Sequence, residues 1–185
     1  IYYNDNQPEK AAEAYKQVIS KYPGSEEAKV ALQDLKSVYI DLNDIDAYAA
    51  YVNSQGGNIH LNINEQDSLT YIAAEKLFMR GDNEGARRSM QNYLQNYPNG
   101  AFSTNANFYL ASIAFNLKEY NEALPMFEQV IASGDRKFLE ESTARKAEIE
   151  YLTENFKAAL ETFKRLNEIA ESADNKEAAS LGIMR

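Results

Sequence analysis

The chain has 185 residues, 44% hydrophobic and 25% charged, which is enough apolar material to bury a core and excludes a chain disordered by composition. Its formal net charge of -9 argues against a nucleic-acid backbone as partner, because that affinity comes mainly from Lys and Arg releasing counterions; the basic cluster Arg87-Arg88, with Arg80 nearby, reads as a solvated helix face. Cysteine is absent, so disulfides and thiolate metal sites are excluded, and no apolar run approaches the roughly 18 residues that a membrane span needs.

In chain order, Ile1-Tyr2-Tyr3 reads as the tail of a helix. Pro8 then opens a helix to about Lys21, where its missing N–H removes no bond. Tyr22-Pro23-Gly24-Ser25 stops it, and Ser25 caps a helix over Glu26 to Leu42. Asn43-Asp44 breaks the pattern, and a short helix carries Ile45 to Val52. After Gln55-Gly56-Gly57-Asn58, the residues Ile59, Leu61 and Ile63 alternate with His60 and Asn62 in a strand-like or extended linker. Helix character resumes near Glu65 and ends near Arg80-Gly81. A partner runs from Asn83 to Asn96 and closes in Tyr97-Pro98-Asn99-Gly100. Two more helices meet at a polar break, Asn116 to Tyr120. Ser133-Gly134-Asp135 precedes a helix over Lys137 to Thr153. The next starts at Glu154 or Asn155 and ends near Ser172, and Asp174 is placed to cap a last helix through Arg185.

The helices repeat. A small residue recurs at Ala11, Ala47, Ala86, Ala123 and Ala159, at intervals of 36, 39, 37 and 36 residues. Four residues later stands a large one: Tyr15, Tyr51, Met90, Phe127 and Phe163. Positions i and i+4 share a helix face, so the small residue lets two helices approach and the large one fills the groove beside it. A second series, Ala74, Ala111, Ala147 and Gly182, marks the other helix of each pair, with weaker register through Leu35. Aromatics follow it at Tyr39, Phe78, Phe115 and Tyr151, with Tyr3 near the same register.

These residues resemble the tetratricopeptide repeat family, whose Leu-Gly, paired aromatics, polar break, Tyr-x-x-Ala and late Pro are echoed here. The matching positions are Leu110-Ala111, Phe115, Lys118-Glu119-Tyr120, Ala123 and Phe127, then Ala147, Tyr151, Phe156, Ala159 and Phe163, with Leu181-Gly182, Pro23 and Pro98. The resemblance implies an all-α, right-handed α-solenoid of antiparallel helix pairs. The expected units of this single array are about 1–23, 25–55, 65–98, 101–133, 137–172 and a partial 174–185, with a linker at 56–64. Intervals longer than the family's usual period, and Lys118 and Glu154 near a usual turn Gly, are departures. The chain starts late in one unit and stops inside another, as a piece of a longer solenoid or an array with an atypical cap. The Tyr-Pro closures are similar to those of periplasmic, Tol-Pal-associated and outer-membrane-assembly tetratricopeptide proteins of Gram-negative bacteria. That implies a periplasmic or cell-envelope location, with the cytoplasm as the alternative.

In such arrays the first helices line a concave groove. Carried onto this sequence, that groove comprises Lys36, Tyr39, Tyr71, Glu75, Phe78, Phe108, Ser112, Phe115, Arg145, Glu148 and Tyr151, and the implied function is a non-enzymatic scaffold for a protein or peptide partner. The same aromatics at helical spacing also fit inter-repeat core, and a purely structural spacer is the alternative function. Open repeat ends allow end-to-end self-contacts. No catalytic, cofactor or metal residues are expected. His60 is the only histidine and has Asn58, Asn62 and Asn64 beside it, a turn-forming set; Glu26-Glu27 and Glu140-Glu141 sit at helix starts, where they meet the helix dipole; neither Gly56-Gly57 nor any other Gly falls in a phosphate-loop context.

Overall fold

The computed structural model describes residues 7–56 and 60–184. All regular structure among them is α-helical: α1 (Pro8–Lys21), α2 (Glu26–Leu42), α3 (Ile45–Ser54), α4 (Ile63–Met79), α5 (Asn83–Asn96), α6 (Ser103–Asn116), α7 (Tyr120–Ser133), α8 (Arg136–Leu152), α9 (Phe156–Ile169) and α10 (Ala173–Met184). Within each unit, short connections make sequential helices pack as antiparallel neighbours. The chain divides into two compact units, Ile1–Ala101 and Phe102–Arg185. The expected helical tail at Ile1-Tyr2-Tyr3, and Gly57, Asn58 and Ile59 of the expected linker, lie outside the described residues.

In the first unit the core gathers Ala11 and Ala12 of α1, Leu35, Val38 and Tyr39 of α2, and Tyr48 and Val52 of α3. Ser25 caps α2 by accepting the Ala28 N–H at 3.1 Å, and Asp44 caps α3 by accepting that of Ala47 at 3.1 Å. The alternation over Leu61 and Ile63 is not a strand. Asn62 Oδ1 accepts the N–H groups of Asn64 and Glu65, each at 3.0 Å, while Glu65 Oε2 accepts the Asn62 N–H at 3.0 Å. This reciprocal capping box starts α4 at Ile63. Leu61 packs back on the α1–α3 core, while Ile63 faces solvent.

Asp67 of α4 is a carboxylate in an otherwise apolar stripe, only 7% exposed. Its Oδ1 accepts the Tyr93 hydroxyl at 2.5 Å and its Oδ2 accepts the Ala101 N–H at 2.9 Å, so it fastens the Tyr97-Pro98-Asn99-Gly100 loop to α4 and α5. Gly100 lies so close to this pair that a Cβ there would come within 2.5 Å of the Tyr93 hydroxyl. On the other end of α4, Asp41 of α2 receives both Lys76 and Arg80.

In the second unit Ala111, Ala114, Ala123, Phe127 and Ile149 form one core cluster, and Ala147, Ala159, Phe163, Leu166, Ala170 and Ala179 another. Ala111 and Ala123 are fully buried where α6 meets α7, as their spacing predicts. Between α8 and α9 the buried Glu150 accepts the Thr162 hydroxyl at 2.6 Å and pairs with Lys146 at 3.2 Å. Burial pulls the Lys146 ammonium down, but Glu128 and Glu150 outweigh it and the net shift is upward. The last two elements differ from expectation. Extended backbone at Ala170 ends α9 at Ile169, and the cap of α10 is Ser172, whose Oγ accepts the Asn175 N–H at 3.2 Å, rather than Asp174.

The turn inside each helix pair has one geometry with four different residues. Asn43, Gly81, Lys118 and Glu154 all have positive φ, at 54°, 80°, 62° and 62°. At each, the next residue's N–H reaches back five positions to a helix carbonyl: Asp44 to Tyr39 at 3.0 Å, Asp82 to Leu77 at 3.0 Å, Glu119 to Ala114 at 2.9 Å and Asn155 to Glu150 at 2.8 Å. This is a Schellman closure, usually a glycine's position.

Candidate partner-binding surface

Within the second unit the predicted groove residues lie along α6 and α8. Phe108 stacks on Phe138 at 4.4 Å between centroids and meets Phe127 edge-on at 6.3 Å. Phe115 meets Phe127 at 6.5 Å and Tyr120 at 5.8 Å, and the Arg145 guanidinium lies 4.8 Å from its centroid. Arg145 is itself held by Glu141 at 2.8 Å and Glu148 at 3.2 Å. The Ser112 hydroxyl donates to the Phe108 carbonyl at 2.8 Å, within its own helix. Tyr151 is half-buried, edge-on to Phe156 at 5.6 Å.

Arg145, Glu148 and Tyr151 open onto a cavity of about 440 Å³ between α8 and α10, floored by Phe163 of α9. Its apolar lining comes from Ala144, Tyr151 and Leu152 on one wall and Ala178 and Leu181 on the other. Two contacts fix the α10 wall. Gly182 rests on the Phe163 ring so closely that a Cβ would overlap it. At the helix start, Glu140 of α8 accepts the N–H groups of Glu171 at 3.0 Å and Ser172 at 3.1 Å and the Asn175 amide at 2.8 Å. These donors, the Glu171 N–H foremost, hold the Glu140 carboxyl down at about 2.

The first unit treats its predicted groove residues differently. Tyr39 is buried, tilted on Tyr48 at 6.0 Å with the Lys16 ammonium 5.7 Å from its ring, so it belongs to the core and not to a groove. The turn geometry gives the reason. Phe78, Phe115 and Tyr151 stand three residues before the positive-φ residue of their turns, whereas Tyr39 stands four before Asn43 and Ile40 takes the equivalent place. One residue is about 100° of helix rotation, enough to turn the ring inward. Tyr71 is also core, 2% exposed, edge-on to Tyr93 at 5.9 Å; its hydroxyl donates to Glu75 Oε1 at 2.5 Å. Phe78 is half-buried. Lys36 lines a separate cavity of about 490 Å³ with Tyr48, His60, Leu61 and Glu65.

Sequence reasoning stopped the groove at Tyr151 and missed its far wall, Asp174, Ala178 and Leu181, together with the Glu140 clasp. A signal was present: Gly182 continues the series Ala74, Ala111 and Ala147, which makes α10 a first helix and carries the groove onto it. Among the described residues no three His, Asp or Glu side chains gather to hold a metal ion, and no helix is long and apolar enough to cross a membrane.

The tetratricopeptide repeat family model matches residues 1–25, 68–100 and 105–133, the last two being α4–α5 and α6–α7. No curated protein matches the chain by sequence. Among solved structures it is similar to a MamA RS-1 ArsTM double mutant, with 15% identity and a TM-score of 0.58 over 95% of this chain and 84% of that one. It is similar to a second MamA crystal structure, with 16% identity and a TM-score of 0.52 over 96% and 94%. It is also similar to the apo form of RapI, with 17% identity and a TM-score of 0.55 over 98% of this chain and 54% of RapI. The likeness to these structures shows the fold, an all-α solenoid of the tetratricopeptide-like class, and the family model marks three stretches of the chain as similar to tetratricopeptide repeats.

Proposed function

We propose that this chain is a non-enzymatic scaffold that holds a protein or peptide partner against its first-helix surfaces, with the α8–α10 groove as the contact in the second unit. The observation that carries this reading is the groove itself. It presents Leu152 and Leu181, 49% and 42% exposed, beside Tyr151, in a concave setting with a charged rim. Concave, mostly apolar sites with a few polar groups are where ligands bury their surface. Tetratricopeptide-type repeats are generally protein-interaction modules, which supports the same class of function.

The test is affinity capture from the source cells with the full chain and its Leu181→Asp variant side by side, each checked for helicity and melting. A partner retained by the first and lost by the folded second supports the scaffold reading. Identical captures overturn this groove and favour a spacer whose repeats only stack on one another. The cell-envelope location suggested by the Tyr-Pro closures belongs to the same proposal, and fractionation of the source cells tests it.

A further inference from the structure

We infer that the α8–α10 groove selects a basic peptide segment built around one or two apolar anchors; this rests on the scaffold reading above and adds the chemistry of the partner. The rim carries three carboxylates, Glu141, Glu148 and Asp174, against one guanidinium, Arg145. That guanidinium is already engaged: its Nε meets Glu141 at 2.8 Å, its Nη1 meets Glu148 at 3.2 Å, and its face lies 4.8 Å from the centre of Phe115. An acidic ligand reaching Arg145 must displace two carboxylates and then sit beside them. A basic ligand keeps all three contacts and adds its charge to the excess negative potential at Glu148 and Asp174. The net charge of -9 acts in the same direction at longer range, steering cationic segments inward.

Below the rim the walls are apolar, so charge alone does not satisfy the site. Ala144 and Ala178 leave space where Tyr151, Leu152 and Leu181 offer contact, which fits the side chain of Leu, Met or Phe. The groove is also set before a ligand arrives. Glu140 fixes the start of α10 through three hydrogen bonds, and Gly182 seats its later turn on Phe163. A preformed groove spares the ordering entropy that a mobile helix loses on binding.

The experiment pans a random twelve-residue peptide display library on the full chain, removes peptides that also bind the Leu181→Asp variant, and measures the survivors as synthetic peptides by fluorescence anisotropy. The expected survivors carry Lys or Arg flanking a Leu, Met or Phe, and they weaken as salt rises, since the rim charges are solvent-exposed. Glu148→Lys and Asp174→Lys each weaken them by roughly two- to fivefold, the range of an exposed ion pair, and together shift selection toward acidic peptides. Both sites are exposed, so these variants keep the fold, and Leu152→Asp serves as a second blocked groove. Survivors that are neutral or acidic overturn the charge selection and leave the scaffold reading standing. A panning with no groove-dependent survivor overturns the scaffold reading and this inference with it.

Discussion

Removing one hydroxyl from the first unit should weaken it out of proportion to its size. Tyr93 is fully buried and its hydroxyl donates to Asp67 Oδ1 at 2.5 Å, while Oδ2 takes the Ala101 N–H. Tyr93→Phe keeps the ring contacts with Tyr71 and Tyr97 but leaves a nearly buried carboxylate oxygen without that donor. Hydrogen bonds to charged groups contribute about 1.5–3 kcal/mol, so a loss of about 2 kcal/mol is expected. Asp67→Asn keeps the shape but puts an amide where one acceptor faced a donor, with an expected loss of about 1–3 kcal/mol. The double variant should lose less than the sum of the singles, by about 1–2 kcal/mol, because the second change removes a bond already broken. Urea unfolding followed by circular dichroism measures each value, given an unchanged slope. A Tyr93→Phe chain within about 0.5 kcal/mol of the parent, or strictly additive singles, would refute the clasp.

Glycine at the strained turns should stabilise. Glu154→Gly and Lys118→Gly each relieve a positive φ that L-residues adopt at a cost of about 1–2 kcal/mol, less about 0.5–1 kcal/mol of added unfolded-state entropy, so each melt should rise modestly and Gly81→Ala should lower it. Ala123→Leu should destabilise by about 1–3 kcal/mol in thermal unfolding, because its site is fully buried between α6 and α7; an unchanged melt would reject that packing. Glu140 gives the pH dependence. Its folded pKa of about 2 lies below the ordinary 4.5, so its stabilisation is complete above about 4.5 and is lost as pH falls toward 2. Solvent screening at this partly exposed carboxylate reduces the effect to about 1 kcal/mol; Glu140→Gln should flatten that part of the acid titration of stability. Phe115→Ala should lower the melt by about 2–4 kcal/mol, since the ring packs on Phe127 and Tyr120, and a melt unchanged by the substitution would return Phe115 to a purely ligand-facing role.

The helix pairing was legible because small residues at a fixed interval fit close helix approach: Ala86, Ala111, Ala123 and Ala147 are all fully buried, whereas Ala47 of the same series is only partly buried. The turns were legible as breaks, though not as strained: nothing about Lys118 or Glu154 as residue types announces positive φ. The aromatic ladder failed where its register slipped by one residue, at Tyr39. Counting back from the turn instead of forward from Leu35 shows the slip in the sequence. The clasps were harder to see. Asp67 and Glu140 both stand fourteen residues before the positive-φ residue of their turn, and both accept backbone N–H groups at the start of the next repeat. In the sequence Glu140-Glu141 shows only as a pair of helix-start acids, because the donors arrive from more than thirty residues away and sequence proximity cannot show them.

The Schellman closures also say where this chain can grow. Every joint within a helix pair is fixed at two or three residues, at 43–44, 80–82, 117–119 and 153–155, because the backbone bonds that close it span a set number of peptides. Joints between pairs obey no such rule: 134–135 is as short as a turn permits, while 55–62 is several times longer. Insertions, epitope tags or fluorophore attachment sequences belong in joints between pairs, whose lengths vary, and not in the closed turns within a pair. The same addition at residue 118 would throw α6 and α7 out of register and with them the face that carries Phe108 and Phe115.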